Sequence, residues 1–203
     1  MTDRHHDPAS APPAAGRGPR VVLLGAPGSG KGTQAARVAS RLGVPVISTG
    51  DMLRQAVAAG TPLGERVRDV LRAGELVDDG LMAEIVRRRL AVPDAARGFI
   101  LDGYPRTPGQ ADTLQRLLGN GSGGLDAVVL LNVPETVLVE RATARGREDD
   151  REAIVRERLR LFREITEPLI GYYGERRLLH EVDGHQPVDA VTSQILAALA
   201  GGA

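Results

Sequence analysis

The sequence predicts an α/β fold, a three-layer α/β/α sandwich around a five-stranded parallel sheet. Five short, continuous apolar runs recur along the 203 residues, each followed by a segment with helical periodicity. Strands buried on both faces read as unbroken apolar runs, and their alternation with helices implies parallel crossovers. The first run passes directly into a glycine-rich loop that opens a helix. The length suits one domain. With 42% hydrophobic residues but only 2% aromatic ones, the core has to be aliphatic.

Residues 1–19, MTDRHHDPASAPPAAGRGP, are rich in Pro, Ala and Gly without an apolar period, and read as a disordered leader. Its Asp3, His5, His6 and Asp7 read as part of a solvated tail rather than as metal ligands. The folded domain then runs over 20–203. RVVLLG (20–25) is the first strand. KGTQAARVASRL (31–42) is a helix with Ala35, Val38, Ala39 and Leu42 on one face. VPVIST (44–49) is the second strand, and two or three helices follow through Leu90. Pro62 sits where a first helical turn tolerates it, and Asp78 or Asp79 suits the N-cap of the next helix. GFILDG (98–103), LDAVVLLNV (125–133) and LLHEV (178–182) complete the strands. There is no internal repeat.

Composition excludes several function classes. Lys plus Arg and Asp plus Glu each number 26, so a broad basic face for nucleic acid is not expected. The absence of cysteine excludes disulfides and Cys-ligated zinc or iron–sulfur sites. No apolar run approaches the ~20 residues that span a bilayer, and the N-terminus lacks the apolar stretch of a secretory signal. The expectation is a soluble cytoplasmic protein.

GAPGSGKGTQ (25–34) carries the chemistry. Of the 26 basic residues, 25 are arginine and one, Lys31, is lysine. A strand before and a helix after make this a phosphate loop. Glycines let backbone N–H groups converge on phosphate oxygens at a helix N-terminus. Gly28, Ser29, Gly30, Lys31, Gly32 and Thr33 are the candidate ligands. Gly32 stands where a hydroxyl residue usually follows the lysine, which puts the usual hydroxyl-to-magnesium contact in question. A lysine kept amid arginines implies a channel too narrow for a planar fork. DGYPRT (102–107) ends a predicted strand, where ligands bind in open α/β sheets. There Asp102 suits magnesium through water, and Arg106 offers a forked phosphate contact. STGDMLR (48–54) brings Thr49 and Arg54 to the same edge. RATARGREDDREAIVRERL (141–159) gathers Arg141, Arg145, Arg147 and Arg158 around a glycine-containing turn. It reads either as a solvated, salt-bridged helix or as a mobile flap.

In this order the motifs resemble those of the adenylate kinases of short-lid type, in the nucleoside monophosphate kinase superfamily, over about residues 20–200. The resemblance implies reversible phosphoryl transfer from MgATP to AMP, giving two ADP, by a monomer whose Mg2+ arrives with the nucleotide. It implies ATP contacts at Gly28 to Thr33, Arg145 and Gln186. It implies AMP contacts at Thr49, Arg54, Glu75, Leu76, Val77, Gly103, Tyr104, Pro105, Arg106 and Gln110, with Arg147 and Arg158 at the phosphates. Lys31, Arg106, Arg145, Arg147 and Arg158 form the implied catalytic set. The AMP-binding segment would span about 48–77 and the lid about 144–154. Asp78 follows Leu76-Val77 where the family often has Pro, which a backbone contact tolerates. Only Gly146, Arg147 and Glu148 separate Arg145 from Asp149, which leaves no room for an inserted lid subdomain, so no zinc is expected. A uridylate or cytidylate kinase, or a P-loop ATPase or switch, are the alternatives. Thr107 and Gln110 stand where cytidylate-preferring relatives tend to carry Asn, which favours adenine. Arg54, Arg106 and Gln110 together have no role in an ATPase or switch.

Overall fold

The computed structural model describes residues 17–119, 124–147 and 150–201. The expected leader lies outside the described residues as far as position 16, as do Glu148 and Asp149 of the expected lid. Strands β1 (Arg20–Leu24), β2 (Val46–Ser48), β3 (Phe99–Asp102), β4 (Ala127–Asn132) and β5 (Leu179–Asp183) form one parallel sheet in the order β2-β3-β1-β4-β5. All five expected strands are present. The second begins only at Val46, and it stops at Ser48 because Ser48 caps the next helix, accepting from the Asp51 N–H at 3.3 Å. Thr49 therefore opens a helix rather than ending a strand.

The helices are α1 (Lys31–Leu42), α2 (Thr49–Ala58), α3 (Pro62–Ala73), α4 (Asp79–Leu90), α5 (Pro108–Leu118), α6 (Glu135–Ala144), α7 (Glu152–Leu161), α8 (Pro168–Gly174) and α9 (Val188–Gly201). Their starts follow the residue chemistry. Thr61 accepts from the Gly64 N–H with Pro62 in the first turn. Asp78, not Asp79, caps α4 by accepting from the Leu81 N–H at 3.0 Å. Thr107 caps α5 ahead of Pro108. A 3₁₀ turn over Pro93–Arg97 and a π-helical turn over Phe162–Thr166, joining α7 to α8, have no signal in the apolar pattern.

Alternate strand residues face opposite layers. Val21, Leu23, Ile100, Val129 and Leu131 pack with Ala35 and Val38 of α1 and Val191 and Ile195 of α9. Val22, Leu24, Leu101, Val128 and Leu130 pack with Val86 of α4, Leu114 of α5 and Leu169 of α8. Each such side chain taken fully from water contributes about 1.5–3 kcal/mol. A third, smaller cluster of Ala26, Leu138, Ala142, Val155 and Leu159 seats α6 and α7 against the phosphate loop.

This topology places the site. In the order β2-β3-β1-β4-β5 the connection from β1 runs toward β2 and that from β3 runs the other way, toward β4, so a crevice opens at the carboxyl ends of β1 and β3. The α2–α3 arm stands on one side and the α6–α7 pair on the other. The arm is tightly built: a Cβ on Gly64 of α3 would lie 2.1 Å from the Ala56 carbonyl oxygen of α2. The two sides meet where Gly74 (φ +75°), after α3, abuts Ile154 and Arg158 of α7.

Candidate active site

The loop after β1 is shaped by its glycines. Gly28 has φ +85°, and a Cβ there would lie 2.2 Å from the Leu138 carbonyl oxygen of α6. Only glycine serves, both for the left-handed backbone and for the close approach. Lys31 opens α1, and its Nζ turns back into the loop. It donates to the carbonyls of Gly25 at 2.6 Å and Ala26 at 2.9 Å and lies 3.4 Å from Ser29 Oγ. Burial lowers its pKa to about 8, with Arg106, Arg158 and Arg145 adding to the effect and Asp102 opposing it. A Cβ at Gly32 would stand 3.9 Å from Asp102 Oδ2. The position that usually supplies a hydroxyl thus faces the one carboxylate at the end of β3.

The carboxyl end of β3 supplies the opposite wall. Arg106 donates from Nε to the Gly103 carbonyl at 3.0 Å, which aims its guanidinium into the crevice. Burial and the nearby Arg158 lower its pKa, with Asp102 opposing. Gln110, on the first turn of α5, accepts at Oε1 from the Arg106 N–H at 2.8 Å and donates from Nε2 to Asp79 at 2.6 Å. Thr49 Oγ1 donates to the Asp102 carbonyl. Asp51 of α2 binds Arg54 at 2.6 Å and lies 3.8 Å from Arg147. Burial pushes the Asp51 pKa up, but Arg54, Ser48 and Arg147 outweigh it and leave the group below the usual carboxylate range.

The α6–α7 pair completes the ring. Asp150 is a buried hub. It accepts from Arg145 at Nε and Nη2 and from the Arg147 backbone N–H, with Arg158 Nη1 3.6 Å away. Together these elements enclose a cavity of about 630 Å³ lined by six arginines (54, 106, 141, 145, 147, 158) and Lys31 against two acids, Asp51 and Asp102. A narrower pocket of about 50 Å³ opens off it, lined by Thr49, Leu53, Val77, Met82 and Gln110 among others. The large chamber carries the charge to hold a polyanion, and the side pocket sets apolar Leu53, Leu71, Val77 and Met82 against polar Thr49, Glu75 and Gln110.

Comparison with known proteins bears on the same elements. The family model for adenylate kinase matches residues 23–178. The chain belongs to the adenylate kinase family. An adenylate kinase of Nocardia farcinica is 50% identical over 180 residues, covering 89% of this chain and 98% of its own. One of Kosmotoga olearia is 47% identical, covering 86% and 96%. Adenylate kinase 1 of a Synechocystis strain is 49% identical, covering 86% and 94%. As an adenylate kinase, the chain is a nucleoside monophosphate kinase built on the P-loop fold.

Nearly all the residues expected of an adenylate kinase come together. Gly28, Gly30, Lys31, Gly32, Thr33, Asp102, Pro105, Arg145 and Arg147 line the large cavity, and Thr49, Glu75, Val77 and Gln110 the side pocket. Arg54, Leu76, Gly103, Arg106 and Arg158 line both. Three expected residues stand behind the walls or apart from them. Ser29 is buried under the loop. Tyr104 is buried and donates to the Gln110 carbonyl. Gln186 lies in the β5–α9 connection, where it donates to Asp183 at 2.7 Å. That connection reaches the cavity through Arg141, which lines it and donates to the Gly184 carbonyl at 2.9 Å. Asp51 and Asp150, bonded to arginines of the site, are carboxylates that the sequence pattern does not single out. Nothing in GREDD distinguishes Asp150 from its acidic neighbours, because its role depends on where the turn points it.

Proposed function

We propose that the chain transfers the γ-phosphoryl group of magnesium-bound ATP to AMP, reversibly, giving two ADP. One observation carries the reading: the phosphate loop and the acceptor-side arginines open onto a single cavity with a large excess of fixed positive charge. The loop backbone from Gly28 to Thr33 and Lys31 would cradle the ATP phosphates. Arg54 and Arg106 would hold the AMP phosphate, with Thr49 beside them, and the side pocket with Gln110 and the 75–77 segment would take the adenine. Arg145 and Arg147, within a lid spanning about 144–154, would close over the transferring group, with Arg158 of α7 beside them.

In this transfer an oxygen of the AMP phosphate attacks the γ-phosphorus while the bond to the bridging oxygen of ADP breaks. The attacking oxygen is already anionic, so no general base is needed. The work is alignment and charge stabilisation, and a lid of arginines also excludes water as a competing acceptor. The donor set fits Mg2+ carried in by the nucleotide. Asp102 and Thr33 line the cavity near the loop, and no group of three His, Cys, Asp or Glu side chains is placed to hold an ion among the described residues. Asp102 would meet the ion through its water, since Mg2+ sheds water reluctantly. When bound, the ion neutralises charge on the phosphate oxygens.

The test is ADP formation from ATP with AMP, CMP or UMP as acceptor. AMP should be strongly preferred. Equal use of CMP or UMP, or ATP hydrolysis independent of any monophosphate, would refute the reading.

A further inference from the structure

We propose that Asp79 is a positioning residue that determines base specificity: it fixes the polarity of the Gln110 amide, and through it the preference of the side pocket for a 6-aminopurine over a 6-oxopurine. The inference rests on the reading of that pocket as the base site for AMP.

A side-chain amide presents an acceptor and a donor that are nearly interchangeable in shape. What it recognises depends on which way round it sits. Here the two partners leave no choice. A backbone N–H can only donate, and the Arg106 N–H points at Oε1 from 2.8 Å. A carboxylate can only accept, and Asp79 Oδ1 lies 2.6 Å from Nε2. Turning the amide over would set N–H against N–H on one side and oxygen against oxygen on the other. The backbone of Gln110 is pinned as well. Its N–H donates to Thr107 Oγ1 at 3.0 Å and its carbonyl accepts from Tyr104 Oη at 3.2 Å. Gln110 is 4% exposed, so water does not compensate a wrong orientation. Asp79 itself is exposed and does not line the pocket. It acts from behind.

With these bonds made, the amide keeps one N–H and one oxygen lone pair for the pocket. Such an edge matches adenine, whose 6-amino group donates while the adjacent ring nitrogen accepts. A 6-oxopurine presents an acceptor in place of that amino group and, at N1, a donor. The locked amide opposes it, and a flipped amide would suit it. Of the two locks, one is main chain. Asp79 is the one a substitution can release.

The experiment compares kcat/KM for AMP and for inosine monophosphate in wild type, Asp79→Asn and Asp79→Ala. Asparagine is isosteric and offers Gln110 either an acceptor or a donor, so the flip loses one lock while the hydrogen bond survives. The AMP-to-IMP ratio should fall roughly tenfold in Asp79→Asn, the scale of one mismatched buried hydrogen bond, chiefly because IMP improves. Asp79→Ala, which keeps no partner for Nε2, should raise KM for AMP with kcat and KM for ATP unchanged. A merely structural role, as a negative charge at the start of α4, would lower Tm alike in both variants and leave the ratio untouched; an unchanged ratio in Asp79→Asn overturns the proposal. A wild-type enzyme that uses AMP and IMP equally overturns the base-pocket assignment and this proposal with it. A wild-type enzyme that makes ADP with no monophosphate refutes instead the function proposed above.

Discussion

Asp150→Asn tests the arginine ring while leaving every arginine in place. The carboxylate side chain is 1% exposed and accepts from Arg145 at 2.6 and 2.9 Å and from the Arg147 N–H at 2.9 Å. Burial raises its pKa, but the bonds from Arg145 and Arg147 and the charge of Arg158 outweigh that and hold it below the usual carboxylate range. Asparagine swaps one acceptor oxygen for an NH2 group that faces guanidinium donors. Breaking a fully buried pair costs about 3–5 kcal/mol. Arg145 is 32% exposed and can turn to water, which brings the cost down toward about 2 kcal/mol. For a domain of this size that is a fall in Tm of roughly 4–8 °C. Turnover should suffer more. Arg145, Arg147 and Arg158 lose a shared anchor, and an error of about 1 Å in position costs roughly a hundredfold in rate. KM for AMP should move only a few-fold, because Arg54, Arg106 and Gln110 make no bond to Asp150. The assay is coupled ADP formation at saturating ATP and AMP, with thermal melting of the nucleotide-free protein. Near-normal kcat with unchanged Tm refutes the reasoning. A collapsed fold would make Asp150 a residue of the core rather than of the site.

Two further predictions concern Lys31. Lys31→Arg keeps the charge but should lower kcat by roughly 10²–10⁴-fold, because the wider head misplaces the cation that would face the transferring group; a variant with near-normal turnover on steady-state assay would show that charge alone suffices. Because burial and the arginines set the Lys31 pKa to about 8, kcat/KM for ATP should fall as pH rises through about 8, since the free enzyme then loses the charge that meets phosphate. The falling limb of kcat should lie at higher pH, because bound phosphate favours the charged form, and a pH–rate profile with coincident limbs, or with none below pH 10, would exclude Lys31 as the titrating group.

The fold was legible because its strands are buried on both faces. RVVLL, FILD and AVVLLN are unbroken apolar runs, and the helices between them begin at Thr61-Pro62, Asp78 and Thr107-Pro108, where caps and fixed φ angles are local properties of the residues. The phosphate loop was legible for the same reason: every group in it is within ten residues of Lys31. What pattern could not supply was pairing across the chain. Asp51 meets Arg147 from 96 residues away in sequence, and Asp79 meets Gln110 from 31 away. Each of these carboxylates looks, in its own neighbourhood, like any solvated acid at the start of a helix. The end of β2 was misjudged because Thr49 is a good strand residue, and only the preceding Ser48, turned to accept from Asp51, makes it helical.

The single lysine can now be set against the arginines that surround it. The arginines of the ring meet flat partners: Arg145 forks onto both oxygens of Asp150, the geometry a guanidinium is made for. Lys31 meets something different. The carbonyls of Gly25 and Ala26 and the hydroxyl of Ser29 converge on one nitrogen from within a loop of seven residues. Three acceptors arranged around a point suit the three donors of an ammonium group. A planar guanidinium spreads its donors over a fork and cannot bring three of them to one place. The loop therefore holds the amine in waiting against its own carbonyls, in surroundings that make its charge costly. Arriving phosphate oxygens would offer the ammonium stronger partners than those carbonyls and relieve that cost. Arginine, charged at any working pH and too wide for the loop, supplies neither the fit nor the relief.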